Sequence, residues 1–335
     1  MTPTRRTTIL LFAAGWVLLL AITYTFSWQA LANHWRADIA AWAKAQAGAG
    51  WTVATGAIAT SGFPGPIRLT LAQPSAADAA GDAWQGPPVT VTFDPWHPGK
   101  PRFAGPGAQR FAFAGHPGIE IDAQSLDGTI TLADGQPAEL DLTARSVAAG
   151  DVTLEGLTVE LRRPPAEPDA TVPTRLAAAI GLDRLTVPKG TANLLDPTIA
   201  TAHLALRLRG PWPAGTHADA LTAWRDGGGT IELDSFDFDW PPLAAAGDAT
   251  VALDATLQPE LAGTVTVRGG AAVIDRAAQA GMMDKDGANI AKLALLLASK
   301  PAGDGTGAAK LAVSVQKRVL SVGPVPLLQL PEVTW

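Results

Sequence analysis

The run "TIELDSFDFDW" places four carboxylates, Glu232, Asp234, Asp237 and Asp239, within eleven residues. A row of carboxylate oxygens is what a hard cation such as Ca²⁺ takes. Ile231 and Leu233 share one parity, while Phe236, Phe238 and Trp240 share the other. A β-bulge near Asp234-Ser235 puts all five apolar residues on one face and the acids on the opposite one. Such an acidic face also serves as a solvated surface that discourages edge pairing. Arg207 and Arg209 in "HLALRLRG" share a polar face and can meet the acids or a lipid phosphate, pairing being the plainer account.

Other chemistry is sparse. No serine lies in a G-x-S-x-G elbow. His34, His97, His116, His203 and His217 form neither an H-E-x-x-H nor a His-x-His pair, so a hydrolase would need a site assembled from distant residues. "GDGTGAAK" (303–310) has the wrong spacing for a phosphate loop and precedes a strand, which makes it a turn. "DKDGAN" (284–289) brings glycine too early for a calcium loop, and Leu295 stands where the bidentate glutamate belongs. The expectation is a protein that is not an enzyme, with no metal site and no cofactor.

Composition narrows the partners. The chain is 47% hydrophobic and 17% charged, too apolar for disorder. A net charge of −6 without a basic run argues against nucleic acid. With no cysteine, disulfides, thiol catalysis and cysteine-ligated metals are all excluded.

The elements that would carry any site begin with a charge-free stretch, "TILLFAAGWVLLLAITYTFSW" (8–28), long enough to cross the ~30 Å hydrocarbon layer as a helix. Ile9, Leu10, Leu11, Phe12, Trp16, Val17, Leu18, Leu19 and Leu20 form its body, with Tyr24 and Trp28 at the expected interfacial belt. Arg5 and Arg6 predict a cytoplasmic N-terminus: a single-pass membrane protein with its bulk outside the cytoplasm. "ALA" (30–32) offers an alternative, a cleaved signal peptide and a soluble periplasmic body, although the apolar run exceeds the usual ~7–15 residue core.

Residues 29–50 continue as a Trp-rich amphipathic helix. Trp28, Leu31, Trp35, Ile39 and Trp42 form one stripe that can lid its own domain, dock a partner protein or lie along the membrane. "AGAG" (47–50) ends it. From Trp51 the period becomes two, in "PIRLTL", "VTVTF", "RFAF", "IEID", "TITL", "ELDL" and "LTVEL". Asp127-Gly128, Asp134-Gly135 and Gly150-Asp151 read as turns between them. The proline-dense "RRPPAEPDATVP" (162–173) is a linker or a long edge loop, giving β-rich halves at 51–163 and 174–335. In the second half, helices are expected near 216–226, capped by Thr216, and near 271–300, split at Gly281–Asp284. The fold class is mainly β: an antiparallel meander forming a curved sheet, groove or barrel-like sandwich with a few short helices.

Structural corners are expected at Phe63, Pro64 and Pro66 of "GFPGP", at Pro95 and Trp96, and at Trp224 and Gly227. With "TSGFPGPIRLTL", "VTVTFDPWHPGKP", "LTAWRDGGGTIELDSFDFDW" and "LSVGPVPLLQLPEVTW", the chain resembles a bacterial family of uncharacterised, N-terminally anchored envelope proteins, classed as a domain of unknown function. In layout it is similar to AsmA-like envelope proteins. That resemblance implies a single helix in the bacterial inner membrane, a periplasmic body built on a curved sheet with an apolar inner face, and a role in lipid transport or envelope homeostasis. The expected function is binding of a lipid or other amphiphile in a hydrophobic groove. The alternative is an envelope assembly scaffold that docks a protein through the Trp-rich helix.

Overall fold

The computed structural model describes residues 3–165, 167, 170–188, 194–210, 217–282, 284–298, 300–301 and 308–334. The chain is mostly strand and divides into two compact units, Met1–Gly135 and Gln136–Trp335.

The expected anchor and Trp-rich helix are one rod. Helix α1 (Pro3–Ala45) runs 43 residues unbroken, about 65 Å at 1.5 Å per residue. It tightens into a 3₁₀ turn at Gln46–Ala49 and stops at Gly50, whose φ of 83° only glycine adopts cheaply.

The strands of the first unit are β1 (Trp51–Ala54), β2 (Ile58–Ser61), β3 (Ile67–Leu71), β4 (Ser75–Asp78), β5 (Ala83–Gln85), β6 (Val89–Asp94), β7 (His97–Ala104), β8 (Gly107–Phe113) and β9 (His116–Ala133). Consecutive strands combine into longer bent ribbons: β1 with β2, β3 with β4, β5 with β6, β7 with β8. The register carries straight across each bend on the first three ribbons. Ala54 faces Ser75 and Ile58 faces Leu71 with the same offset, as do Leu71–Val89 and Ser75–Gln85. The bends fall side by side at residues 55–57, 72–74, 86–88 and 105–106, where Gly56, Pro74, Gly86, Pro87, Pro88, Gly105 and Pro106 cluster. Proline withholds a ladder N–H there, and the surviving donors bridge the line: Ala72 N to Ala57 O at 3.1 Å, Gly86 N to Pro74 O at 3.0 Å and Gly105 N to Leu126 O at 2.9 Å. An added Cβ on Gly56 would lie 2.9 Å from Gln73 N, so the crease packs too closely for a side chain.

One expectation fails in this region, and another is decided between its two alternatives. Asp127-Gly128 is no turn: "IEID" and "TITL" are parts of one strand, β9, and Phe103 and Ala104 pair with Gly128 and Asp127. Neighbouring strand hydrogen bonds override a dipeptide that only tolerates turning. Nor does the proline-dense segment divide the units. The strands on either side of it pair with each other, so it is a long edge loop within the second unit.

The second unit is a meander of β10 (Gln136–Ala149), β11 (Val152–Arg162), β12 (Thr174–Thr186), β13 (Thr198–Arg209), β14 (Thr230–Trp240), β15 (Leu243–Leu253) and β16 (Pro259–Arg268), then β17 (Lys300–Pro301), β18 (Ala309–Gln316), β19 (Val319–Val322) and β20 (Val325–Gln329). Each pairs antiparallel with the next, except that β16 and β17 both pair with β18. Among the described residues no ladder joins β10 to β20, so the sheet does not close into a barrel. Among the described residues three helices accompany it, α2 (His217–Asp226), α3 (Gly270–Gln279) and α4 (Lys285–Ala298), the last two parted near Gly281 as expected. Thr216, the expected cap of α2, lies outside the described residues, as does most of 303–310.

Candidate functional site

The residues with chemical potential are dispersed and engaged. Arg207 grips Asp234 with a side-on bidentate fork, Nε donating to Oδ2 at 2.8 Å and Nη2 to Oδ1 at 2.6 Å. Glu232 lies 2.9 Å from Arg207 and 2.6 Å from Arg209. The Arg207 hydrogen bond, aided by its charge, holds the Asp234 carboxyl below the usual carboxylate range despite some desolvation. Asp237 and Asp239 stand opposite His203 and Thr201. Two of the four acids are thus committed to arginine. Among the described residues no cluster of three or more His, Asp or Glu has metal-ligand geometry. His34 pairs with Asp38 at 3.2 Å and His97 with Asp94 at 3.1 Å, both on the surface.

The bulge on β14 falls at Asp234. Leu206 faces Leu233, Ala205 faces Ser235 and Leu204 faces Phe236, so one residue is extra and the apolar parity is restored beyond it. Its consequence extends over the whole unit, because directly opposed residues of an antiparallel pair share a face. Leu140, Leu161, Ala178, Leu206, Leu233 and Ala249 form one row across six strands. Leu142, Val159, Ile180, Leu204 and Phe236 form the next. On the other face stand Asp141, Glu160, Ala179, Ala205 and Ser235. The unit is one amphipathic sheet. Its leucines, valines and phenylalanines in those rows are only half-buried, and among the described residues the buried hydrophobic cluster lies in the first unit instead.

That cluster is where α1 docks. Trp28, Ala32, Ile67, Leu69 and Phe93 are buried together, with Tyr24, Leu31, Trp35, Ile39, Ile58 and Val91 packed around them. Trp35 stacks on Phe93 at 4.2 Å between centroids, and Trp28 meets Phe63 edge-on at 5.5 Å. The "GFPGP" corner supplies acceptors: Gly65 O takes the Trp28 Nε1–H at 2.8 Å, and Pro64 O takes the Tyr24 hydroxyl. The peptide bond Phe63–Pro64 is cis. Arg36 reaches Thr60 further along.

The expected sites therefore divide. Trp16, Val17, Leu18, Leu19 and Leu20 are exposed apolar side chains on α1, as is Phe12, while the side chains of Ile9, Leu10 and Leu11 lie outside the described residues. Trp28 is 5% exposed, which removes it from the expected interfacial belt and makes it part of the domain core. Trp28 is buried and Leu31, Trp35 and Ile39 are half-buried against the chain's own sheet, as a lid would be, while Trp42 stays 58% exposed. Pro95-Trp96 is a two-residue hairpin loop whose Asp94 Oδ1 accepts the Trp96 N–H at 3.0 Å. Trp224 donates to Arg209 O at 2.8 Å, and Gly227–Gly229 end α2 with Gly229 against the indole. Sequence reasoning missed a solvent-open hollow of about 530 Å³ lined by β4, β5, β8 and β9, including Trp84, Phe111, Ile119 and Arg110. The alternation in "RFAF" was its one local signal.

A family model described as an uncharacterised protein conserved in bacteria (DUF2125) matches residues 28–331, which takes in the docked half of α1 and the β-rich body. No curated protein and no solved structure matches the chain.

Proposed function

The chain belongs to the bacterial DUF2125 family of uncharacterised proteins, and from that premise we propose that it is a membrane-anchored envelope module whose second unit holds a lipid or similar amphiphile against its open apolar sheet face. The observation that carries this reading is the half-buried apolar face running across β10–β16. Burying apolar area is worth about 25 cal/mol per Å², so a face of leucine, valine and phenylalanine left part-wetted favours an acyl chain lying along it. The dispersed, ion-paired polar residues support a binding role without chemistry.

The anchor reading rests on the same physics. Among the described residues one helix is long and apolar enough to cross a membrane. Cleavage after Ala32 would remove Tyr24, Trp28, Leu31 and Ala32 from the core of the first unit, so retention as an anchor is the reading that keeps the domain whole. Arg5 and Arg6 favour a cytoplasmic N-terminus and a periplasmic body.

Leu204 and His203 are neighbours on opposite faces of β13. A photo-crosslinking residue placed at each in the full chain, in living bacteria, should yield lipid adducts from 204 and none from 203. Equal labelling, or none at 204, refutes the groove.

A further inference from the structure

Two exposed aromatic side chains on turns lie against the end of the apolar half of α1. Phe63 is 52% exposed and Trp96 74% exposed. Their rings each lie 6.3 Å from that of Tyr24. Tyr24 also marks a change in the helix. Residues 14–23 are exposed, Tyr24 is half-buried and Trp28 is fully buried. From Arg6 to Tyr24 is about 18 residues of helix, or about 27 Å, close to the ~30 Å hydrocarbon layer. Beyond Tyr24 one face of the helix packs on the sheet through Trp28 and Ala32 while Phe26 stays 73% exposed, so docked protein begins to take the place of lipid near that residue.

The direction of the sheet follows from the docking. Tyr24 meets Pro64 and Arg36 meets Thr60. Thr60 lies near the end of β2 and Pro64 in the turn that follows it, so the contacts pass along β2 into its turn as the helix runs back about 18 Å from Arg36 to Tyr24, and helix and β2 lie side by side. The turns at 62–66 and 95–96 therefore face the bilayer, and the turn at 114–115 points away from it.

The geometry points to Phe63 and Trp96 as a second anchor, inserted in the headgroup layer of the bilayer that α1 crosses. The indole of Trp96, an apolar ring with one polar edge, settles at that depth, and the apolar ring of Phe63 beside Tyr24 adds buried area there. The Asp94 carboxylate beside Trp96 turns back on its own hairpin, accepting from Trp96 N and bonding His97, so the tip presents the indole outward. Held at Tyr24, Phe63 and Trp96, the first unit stands upright on the membrane instead of swinging from a single helix. This inference rests on the anchor reading, and the experiment separates the two.

The chain has no cysteine, so single labels are clean. Full-length Leu18→Cys, His97→Cys and Ala114→Cys proteins would carry an environment-sensitive fluorophore in phosphatidylethanolamine–phosphatidylglycerol vesicles containing a shallow nitroxide lipid. Quenching is expected at 18 and 97 and absent at 114. It should be lost at 97 with Trp96→Ser and retained with Trp96→Tyr. Quenching at 18 without 97 overturns the second anchor and leaves the first standing, and a protein crosslink from 97 in cells would then name the occupant. No quenching at 18 overturns the anchor reading itself. Quenching at 97 that ignores Trp96→Ser, or that extends to 114, also refutes the assignment.

Discussion

Replacing Trp28 with alanine removes the more deeply buried of the two tryptophans at the joint between α1 and the first sheet. Trp28 is 5% exposed, packs with Ile67, Leu69 and Phe93, and lies edge-on to Phe63 at 5.5 Å. Truncating a buried tryptophan costs about 3–5 kcal/mol. The aromatic pair accounts for about 0.5–1.5 of that and the hydrogen bond to Gly65 O for about 1 kcal/mol. Phe63 is itself 52% exposed, so water can refill part of the space, and the lower end, about 3 kcal/mol, is the working figure. With a urea slope near 2 kcal/mol/M, the unfolding midpoint of the first unit should fall by about 1.5 M. Pulse proteolysis of the full chain in membranes reads that midpoint. Trp28→Phe, which keeps the ring and deletes the donor, should lose about a third as much. A shift below about 0.5 M for Trp28→Ala would refute the docking and, with it, the argument that the leader is retained, since a chain cleaved after Ala32 does not contain the residue.

Further outcomes follow from the second unit. Gly229→Ala would bring a Cβ within 2.3 Å of the Trp224 ring and should destabilise by about 1–3 kcal/mol, whereas Gly48→Ala meets nothing within 4 Å and should be near neutral; thermal melts of both variants check this. Asp234 titrates below its unfolded value, so its pairing with Arg207 adds stability above about pH 4 that disappears as pH falls through the folded value. Arg207→Ala should flatten that acid limb in a pH series of urea melts, by less than about 1 kcal/mol because the pair is partly exposed. Leu204→Glu should abolish lipid adducts captured from a photo-crosslinker at Ile180, its cross-strand neighbour, while far-ultraviolet circular dichroism stays unchanged.

Much of this architecture was readable one segment at a time. Alternation in "ELDL", "LTVEL" and "HLALRLRG" assigned faces, and the parity break in "TIELDSFDFDW" located a bulge at Asp234 before any partner strand was known. Strand period and bulge arithmetic are local properties of a pleated chain. The failures were also informative. Asp127-Gly128 has the composition of a turn, yet pairing with Phe103 and Ala104 keeps it extended. Proline density at 162–173 resembles a linker, yet ladder bonds between β11 and β12 span it. The crease through Gly56, Gly86 and Gly105 was hidden because each glycine alone reads as a strand end.

The sequence by itself determined a charge-free helix, a β-rich body in alternating strands, and the absence of thiol chemistry, because hydropathy, period and composition are summed over neighbours along the chain. Only the tertiary structure decided where the exposed apolar part of α1 gives way to the part docked on the sheet. A tryptophan ending an apolar run suits a membrane interface and a protein core equally well. Trp28 belongs to the core because Gly65, 37 residues away, provides its acceptor, and because Ile67, Leu69 and Phe93 close over its ring. The same docking carries Phe63 and Trp96 to Tyr24, a juxtaposition of three separate segments that no local pattern encodes.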